Sequence, residues 1–302
     1  SRFKAHIELL RLPLAPMDLA MPAAAALLAV YAVEGSLPPL FPFILASLGA
    51  YCAITSSYVY NDCCDIDVDS IAMPDRPLPS AQLSRREAQL WSLFLFCVAA
   101  AVSLYLNPES FAVLVAATLL ITIYSTWAKR NTPFSWIFVG LSFGLVPLGV
   151  WLAFEPAGLL KAGPGLHPAG IMLAAMIGIT DWGFTNCDAS RDVAGDKEKG
   201  IPTTPATYGI AATARMVAVF WIIGVALSLA LGLAANLGWI YLAVAALAGG
   251  WLLWQNLDFV RRSTPKRGER LFYQSANYRA VLFAALILDV LLRAGLELGG
   301  AL

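Results

Sequence analysis

Charge is scarce in this chain. Only 13% of its 302 residues are Asp, Glu, Lys or Arg, and 59% are hydrophobic; an ordinary soluble domain carries about 25% charge. Histidine is almost missing. His6 and His167 stand alone and far apart, which excludes a His-based metal site or catalytic triad. The five cysteines (Cys52, Cys63, Cys64, Cys97, Cys187) include no C-x-x-C pair and are odd in number. That excludes a disulfide framework and a thiolate zinc site, and leaves them as small apolar residues. No strand-like alternation appears. Net charge is zero, with 20 basic against 20 acidic residues, so no overall basic surface is offered to nucleic acid. Intrinsic disorder, a secreted disulfide scaffold and a soluble enzyme are all excluded by this balance.

What remains is long apolar runs. Nine are read, at about 14–34, 40–60, 89–106, 110–128, 133–154, 168–187, 210–234, 237–257 and 279–298. Each is long enough to cross a hydrocarbon layer about 30 Å thick as a helix. The expected fold is all-α: one polytopic membrane domain over 1–302, a bundle of nine transmembrane helices around a central cavity. The first run is long and lacks a small-residue cleavage site, so it is read as a retained span. Basic residues give the orientation. Eighteen of the 20 fall on one side, and only Lys161 and Arg293 on the other. That bias puts the N-terminus in the cytoplasm and, with an odd number of spans, the C-terminus outside. No protein partner is called for.

Two cytoplasmic loops, 61–84 and 186–209, hold the chemistry. The first opens Asn61-Asp62-Cys63-Cys64-Asp65-Ile66-Asp67-Val68-Asp69. On a regular helix Asp62, Asp65 and Asp69 fall within about 60° of one another, with Asn61 beside them and Asp67 pointing away. The second places Asp188, Asp192 and Asp196 at i, i+4, i+8, with Asp181 seven residues earlier on the same face. Each cluster closes an apolar run, and each precedes a Pro-containing loop (PDRPLPSAQLS and GIPTTPATYG). The four-span offset reads as an internal repeat that brings both clusters to one end of the bundle. Carboxylates near hydrocarbon are costly unless paired. An oxygen-only ligand set suits a hard ion such as Mg²⁺, which leaves coordination positions open to phosphate. The pattern is that of a Mg²⁺–diphosphate clamp. The rival reading, a cation transporter, expects its acids near mid-bilayer, where only Asp18, Asp181 and Asp289 fall.

The stretch N-D-x-x-D-x-x-x-D at 61–69, followed by D-R-P-L-P-S at 75–80, resembles the first signature of the UbiA superfamily of intramembrane prenyltransferases. D-x-x-x-D-x-x-x-D at 188–196, followed by K-E-K-G-I-P-T-T-P, resembles the second. Tyr124-Ser-Thr-Trp-Ala-Lys129 looks like the family's Y-x-x-x-x-K element. The motifs occur in family order and the resemblance covers essentially the whole chain. It implies nine helices around a cavity with cytoplasmic cap loops, and Mg²⁺-dependent transfer of a prenyl group from a prenyl diphosphate. The acceptor would be aromatic, such as 4-hydroxybenzoate in ubiquinone biosynthesis, or the glycerophosphate of an archaeal ether lipid. Asp62, Asp65 and Asp69 would hold one Mg²⁺, and Asp188, Asp192 and Asp196 a second. Lys129 and Arg76, with Arg191, Lys197 and Asn61, would bind diphosphate; Tyr124 would donate to a phosphate oxygen. Asp181 would orient the acceptor or take its proton. Trp136, Phe134, Tyr58 and Trp182 are aromatic faces that could shield an allylic cation.

Overall fold

Backbone groups in lipid must bond within their own segment, and the chain meets that demand with helices throughout. The computed structural model describes residues 2–299, and no strand occurs among them. A short α1 (Arg2–Glu8) and a 3₁₀ turn (Leu12–Leu14) lead into α2 (Ala15–Glu34). Then come α3 (Leu40–Cys64), a short α4 (Ile66–Ala72), α5 (Arg85–Leu106) and α6 (Pro108–Ile123). A π-helical turn (Tyr124–Ala128) and α7 (Lys129–Asn131) extend α6. After α8 (Trp136–Phe154) and α9 (Pro168–Arg191) follow the short α10 (Val193–Glu198) and α11 (Thr204–Tyr208). The chain closes with α12 (Ile210–Ala234), α13 (Trp239–Arg261) and α14 (Pro265–Gly299). Local signals set several starts. Ser84 and Glu87 form a reciprocal capping box at α5, and Asn107 caps α6 ahead of Pro108.

Seven helical stretches among the described residues are long and apolar enough to cross a membrane: Arg2–Glu34, Leu40–Cys64, Arg85–Leu106, Pro108–Asn131, Trp136–Phe154, Ile210–Ala234 and Trp239–Arg261. Two further expected spans, α9 and α14, form long helices of 24 and 35 residues. Their apolar character is diluted by the charged and polar groups they carry, Asp181 in one and Arg279, Asp289 and Arg293 in the other. Each of those side chains has a partner inside the protein or lies on a partly covered face.

The most enclosed helix is α2, where every residue from Ala24 to Val30 is buried. Its alanines let α3, α8, α9 and α14 close around it. In lipid, helices gain little from hydrophobicity when they associate, so close backbone approach carries the packing. The α8–α9 pair shows this most plainly. Gly140 and Gly144 face Ala174 and Gly178, each pair one turn apart. A β-carbon on Gly144 would lie 2.8 Å from the Ala174 carbonyl oxygen, and one on Gly178 3.0 Å from that of Gly140. Away from the motifs, the buried carboxylates have structural partners. Asp289 on α14 accepts the backbone N–H of Gly238 at 2.6 Å and so caps α13. Glu109 accepts the N–H groups of Ala157, Gly158 and Leu159, pinning the Gly/Pro-rich outer loop to α6.

Filling the α8–α9 contact therefore tests the packing. Gly144→Val should cost about 1–3 kcal/mol through overpacking and lower the unfolding temperature in detergent, while Gly250→Ala, with open space around its β-position, should leave it unchanged. Equal melting of both variants would contradict the contact.

Candidate diphosphate and metal site

Both acidic motifs fold the same way. Helix α3 runs through Asn61 and Asp62, breaks at Asp65 (φ −109, ψ 13), and restarts as α4. Helix α9 runs through Asp188, breaks at Asp192 (φ −88, ψ 4), and restarts as α10. The middle acid of each motif is thus the hinge between a long helix and a short one. The short helices touch: a β-carbon on Gly195 of α10 would lie 3.2 Å from both the Cγ1 and the carbonyl oxygen of Val68 on α4. The two motifs therefore share one end of the bundle.

The break corrects the single-helix geometry expected for the first motif. Asp62 and Asp69 still meet, both on Arg76, whose Nη1 lies 3.3 Å and 2.8 Å from them. Asp65 turns instead to Lys129, with Nζ 2.6 Å from Oδ2. Asp67 points away as expected and pairs with Arg130 at 2.8 Å. In the second motif Arg191 reaches Asp188 at 2.6 Å and Asp192 at 2.9 Å, while Asp196 accepts the Thr203 hydroxyl at 2.8 Å. Asn61 donates to the Ser125 hydroxyl at 3.4 Å. Among the described residues no three carboxylates stand close enough to share one ion; each cluster is spread over basic partners.

The π-helical turn explains the five-residue spacing of Tyr124 and Lys129. On a regular α-helix they would stand about 140° apart. The wide turn absorbs the extra residue, and the Lys129 N–H reaches back to the Tyr124 carbonyl. Both side chains line a small hollow with Asp188, Asp192, Asp196, Asn186 and Trp136. Lys129 thereby bridges the motifs, bonded to Asp65 of one and facing the acids of the other. Trp136 is held by a bond from its Nε1 to Thr204 at 3.0 Å and packs on Trp182. Phe134 is largely exposed.

Two expected site residues stand elsewhere. Lys197 is exposed and makes no ion pair with the acids. Asp181 is buried two turns below Asp188 and bonded to Arg279 at 3.2 Å, whose guanidinium also reaches Thr180. One residue of the cluster went unread in the sequence: Arg11. It counts there as one more cytoplasmic charge before the first span. In the structure its guanidinium lies 2.7 Å from Asp62 and 4.8 Å above the Tyr58 ring. Its backbone is left-handed (φ 54, ψ 55), a conformation costing about 1 kcal/mol or more outside glycine. Such strain is held where the surroundings over-determine it, here by the pairing with Asp62. Tyr58 in turn donates to both oxygens of Asp18, at 3.0 Å and 3.2 Å, so that deep acid is bonded within the bundle.

The donor set fits a hard divalent ion. All of it is oxygen, and each motif keeps buried carboxylate oxygens without a hydrogen-bond partner: Oδ1 of Asp65 in the first, and in the second Oδ1 of Asp196 and Oδ1 of Asp188, the latter ion-paired with Arg191. Orphaned acceptors of that kind are costly, and a cation satisfies them. Burial pushes Asp69 up to about 6, against the pull of Arg76, and Asp196 up to about 6, against the pull of Lys129 and the Thr203 hydroxyl. Arg130 holds Asp67 below the usual carboxylate range.

The model of the UbiA prenyltransferase family matches residues 19–286. A protoheme IX farnesyltransferase of Korarchaeum cryptofilum is 29% identical over 258 residues, 83% of each chain. A digeranylgeranylglyceryl phosphate synthase of Methanothermobacter thermautotrophicus is 27% identical over 81% of this chain and 85% of its own. The solved structure of a UbiA homologue from Archaeoglobus fulgidus, bound to DMAPP and Mg²⁺, superposes with a TM-score of 0.65 at 19% identity, covering 94% of this chain and 98% of its own.

The raised acids give a pH prediction. Asp69 and Asp196 keep protons in the folded chain up to about pH 6, whereas an unfolded chain releases them near 4. Stability they contribute is full below 4 and lost as pH rises through 6. Asp67, shifted the other way, acts only below about 4. The chelated protein should therefore melt higher at pH 5 than at pH 7.5, and Mg²⁺ should raise the midpoint more at pH 7.5. Calorimetry in detergent checks both signs.

Proposed function

The chain belongs to the UbiA prenyltransferase family, and from that premise we propose that the paired motifs hold the diphosphate of a prenyl donor while the prenyl carbon passes to an acceptor. The chain is a membrane prenyltransferase. We read α9 and α14 as spans beside the seven apolar ones, giving nine, with α4, α10 and α11 capping the cytoplasmic end. Arg279, counted among the eighteen basic residues of that side, is buried in the bundle on Asp181, and the remaining split of seventeen to two supports a cytoplasmic N-terminus. The C-terminal residues 300–302, assigned outside by that count, lie beyond the described residues.

The observation that carries the reading is the matched pair of hinged acids, Asp65 and Asp192, with Lys129 between the motifs. Drawn together from the separate basic partners they hold here, Asp62, Asp65 and Asp69 would take one Mg²⁺ and Asp188, Asp192 and Asp196 a second. When bound, these ions neutralise charge as it grows on the departing diphosphate. Arg11, Arg76, Lys129 and Arg191, now paired with carboxylates, are the cations that exchange to phosphate oxygens, and guanidinium suits them in two dimensions. Tyr124 and Asn61 donate to the same group. The C1–O bond breaks with its electron pair leaving on diphosphate; the acceptor atom then bonds to C1 and loses its proton. Trp136 and Tyr58 lie closest to this end among the aromatic faces and shield the cation from water. Asp181, committed to Arg279, orients the acceptor through that pair.

Two acceptors are carried. The aromatic one, 4-hydroxybenzoate in type, rests on the breadth of the family. The glycerophosphate one is favoured by the relative named for glyceryl phosphate synthesis and by three arginines at the mouth.

Asp65→Asn and Asp192→Asn should each lower Mg²⁺-dependent release of diphosphate at least 100-fold with the melting profile retained. Chelation should stop turnover and added Mg²⁺ restore it. Near-normal turnover in either variant would sink the paired-motif site. Product mass from aromatic and glycerophosphate acceptors, offered side by side, decides between them.

A further inference from the structure

Two residues flank the entry to the first span, and both end on one tyrosine. Arg11 precedes the 3₁₀ turn (Leu12–Leu14), and Asp18 stands in the first turn of α2. Between them Pro13 and Pro16 fix the backbone, so the segment has little freedom of its own. Tyr58 of α3 meets both of its ends. The ring lies 4.8 Å under the Arg11 guanidinium, and the hydroxyl donates to both oxygens of Asp18, at 3.0 Å and 3.2 Å. Asp62 follows Tyr58 by one turn on the same face of α3 and accepts from Nη2 of Arg11 at 2.7 Å. Asp18, Tyr58, Arg11 and Asp62 thus form one line of contacts from the interior of the bundle to the first acidic motif. Asp18 is 1% exposed and Tyr58 7%, so packing fixes the inner end of that line.

Arg11 is a costly choice for a residue that only holds the fold together. Its backbone is left-handed, and Nε of its guanidinium is buried with no hydrogen-bond partner among the described residues. A strained backbone and an unpaired buried donor point to a bound partner. The donors of a guanidinium match phosphate oxygens. Its long stem has many rotamers, and stacking on a fixed ring selects one of them. Resting on the diphosphate site proposed above, we infer that Tyr58 and Asp18 are positioning residues for that site. Asp18 fixes the Tyr58 ring, and the ring holds Arg11 beside Asp62 with its open donor ready for a phosphate oxygen. Asp18 thereby acts on donor binding without touching the donor.

The test uses the whole protein in detergent with Mg²⁺ and inorganic diphosphate. This probe has no prenyl carbon, so its affinity reports the hold on phosphate and not the shielding of a cation. Affinity is read by calorimetric titration and folding by the melting midpoint. Arg11→Ala should weaken diphosphate binding about tenfold or more. Tyr58→Leu should weaken it about fivefold. The pair Asp18→Leu with Tyr58→Phe should do the same; it removes both polar groups together, so no buried carboxylate is left unpaired and the fold survives. Asp18→Asn keeps an acceptor for the Tyr58 hydroxyl and should bind within about twofold of the wild type. Added to Arg11→Ala, neither Tyr58→Leu nor the pair should weaken binding by more than about twofold further, because both act through that arginine. Losses of equal size with and without Arg11 would overturn the inference, as would full affinity in the Asp18→Leu, Tyr58→Phe pair. Full affinity in Arg11→Ala would overturn it too while leaving the acidic motifs standing. A wild type that binds no diphosphate in the presence of Mg²⁺ would overturn the donor site itself.

Discussion

Everything at the mouth of this bundle depends on balancing carboxylates where water is scarce. Six acids face one end, and ionised groups near hydrocarbon are tolerated only with partners. Four cations answer them: Arg11, Arg76, Lys129 and Arg191. Two acids are left in excess, and the two with raised affinity for protons, Asp69 and Asp196, make up the difference. One belongs to each motif. Below about pH 6 the ligand-free site is thus near neutral through ion pairs and retained protons, and above it the two excess acids ionise. Divalent cations can take the place of the protons, and a diphosphate can take the place of carboxylates as partner to the four bases. The same side chains serve both states, so the resting structure already contains the groups that binding rearranges.

The hinge at the middle acid makes this arrangement possible. An unbroken helix would hold all three acids of a motif on one stripe, forcing like charges together at about 5–6 Å. Breaking the helix at Asp65 and at Asp192 swings the third acid onto a short helix that can be aimed separately. Close contact between α4 and α10, which Gly195 permits against Val68, then locks the two short helices together. The wide turn at 124–128 does for Tyr124 and Lys129 what the hinges do for the acids. All three features are departures from regular helix, and all three lie at the site.

Much of this was legible in the residues. The long apolar runs, the acids at their ends and the offset between the two motifs follow from composition and spacing, and the three motifs together point to the family. What escaped was geometry that depends on irregular backbone or distant contact. Helical spacing put Asp65 beside Asp62 and Asp69, because no proline or glycine marks the break between Cys64 and Ile66. Arg11 sits at the end of a run of basic residues that sidedness alone explains, and only its left-handed backbone and its bond to Asp62 single it out. Lys197 was suggested by its place beside Asp196, yet it falls on the outer side of α10 and remains exposed. The small-residue spacing of Gly140 with Gly144 and of Ala174 with Gly178 carries a helix contact, but small residues are common in apolar helices and gave no warning by themselves.

The two sets of helices around the motifs differ in their interiors. Helices α9, α12, α13 and α14 are filled: Trp221, Tyr241, Phe259 and Phe283 are fully buried there, and Arg279 with Asp181 occupies the remaining polar space. Helices α3, α5, α6 and α8 keep a cavity lined largely by alanine, glycine, serine and threonine on their facing sides. Well-packed interiors do not leave a void of this size without cost, since lining atoms lose their contacts. The acids of both motifs converge on one end of the bundle, and the cavity lies among α3, α5, α6 and α8. Charge at the mouth is therefore held from two sides, while the interior beneath it is packed on one side and hollow on the other.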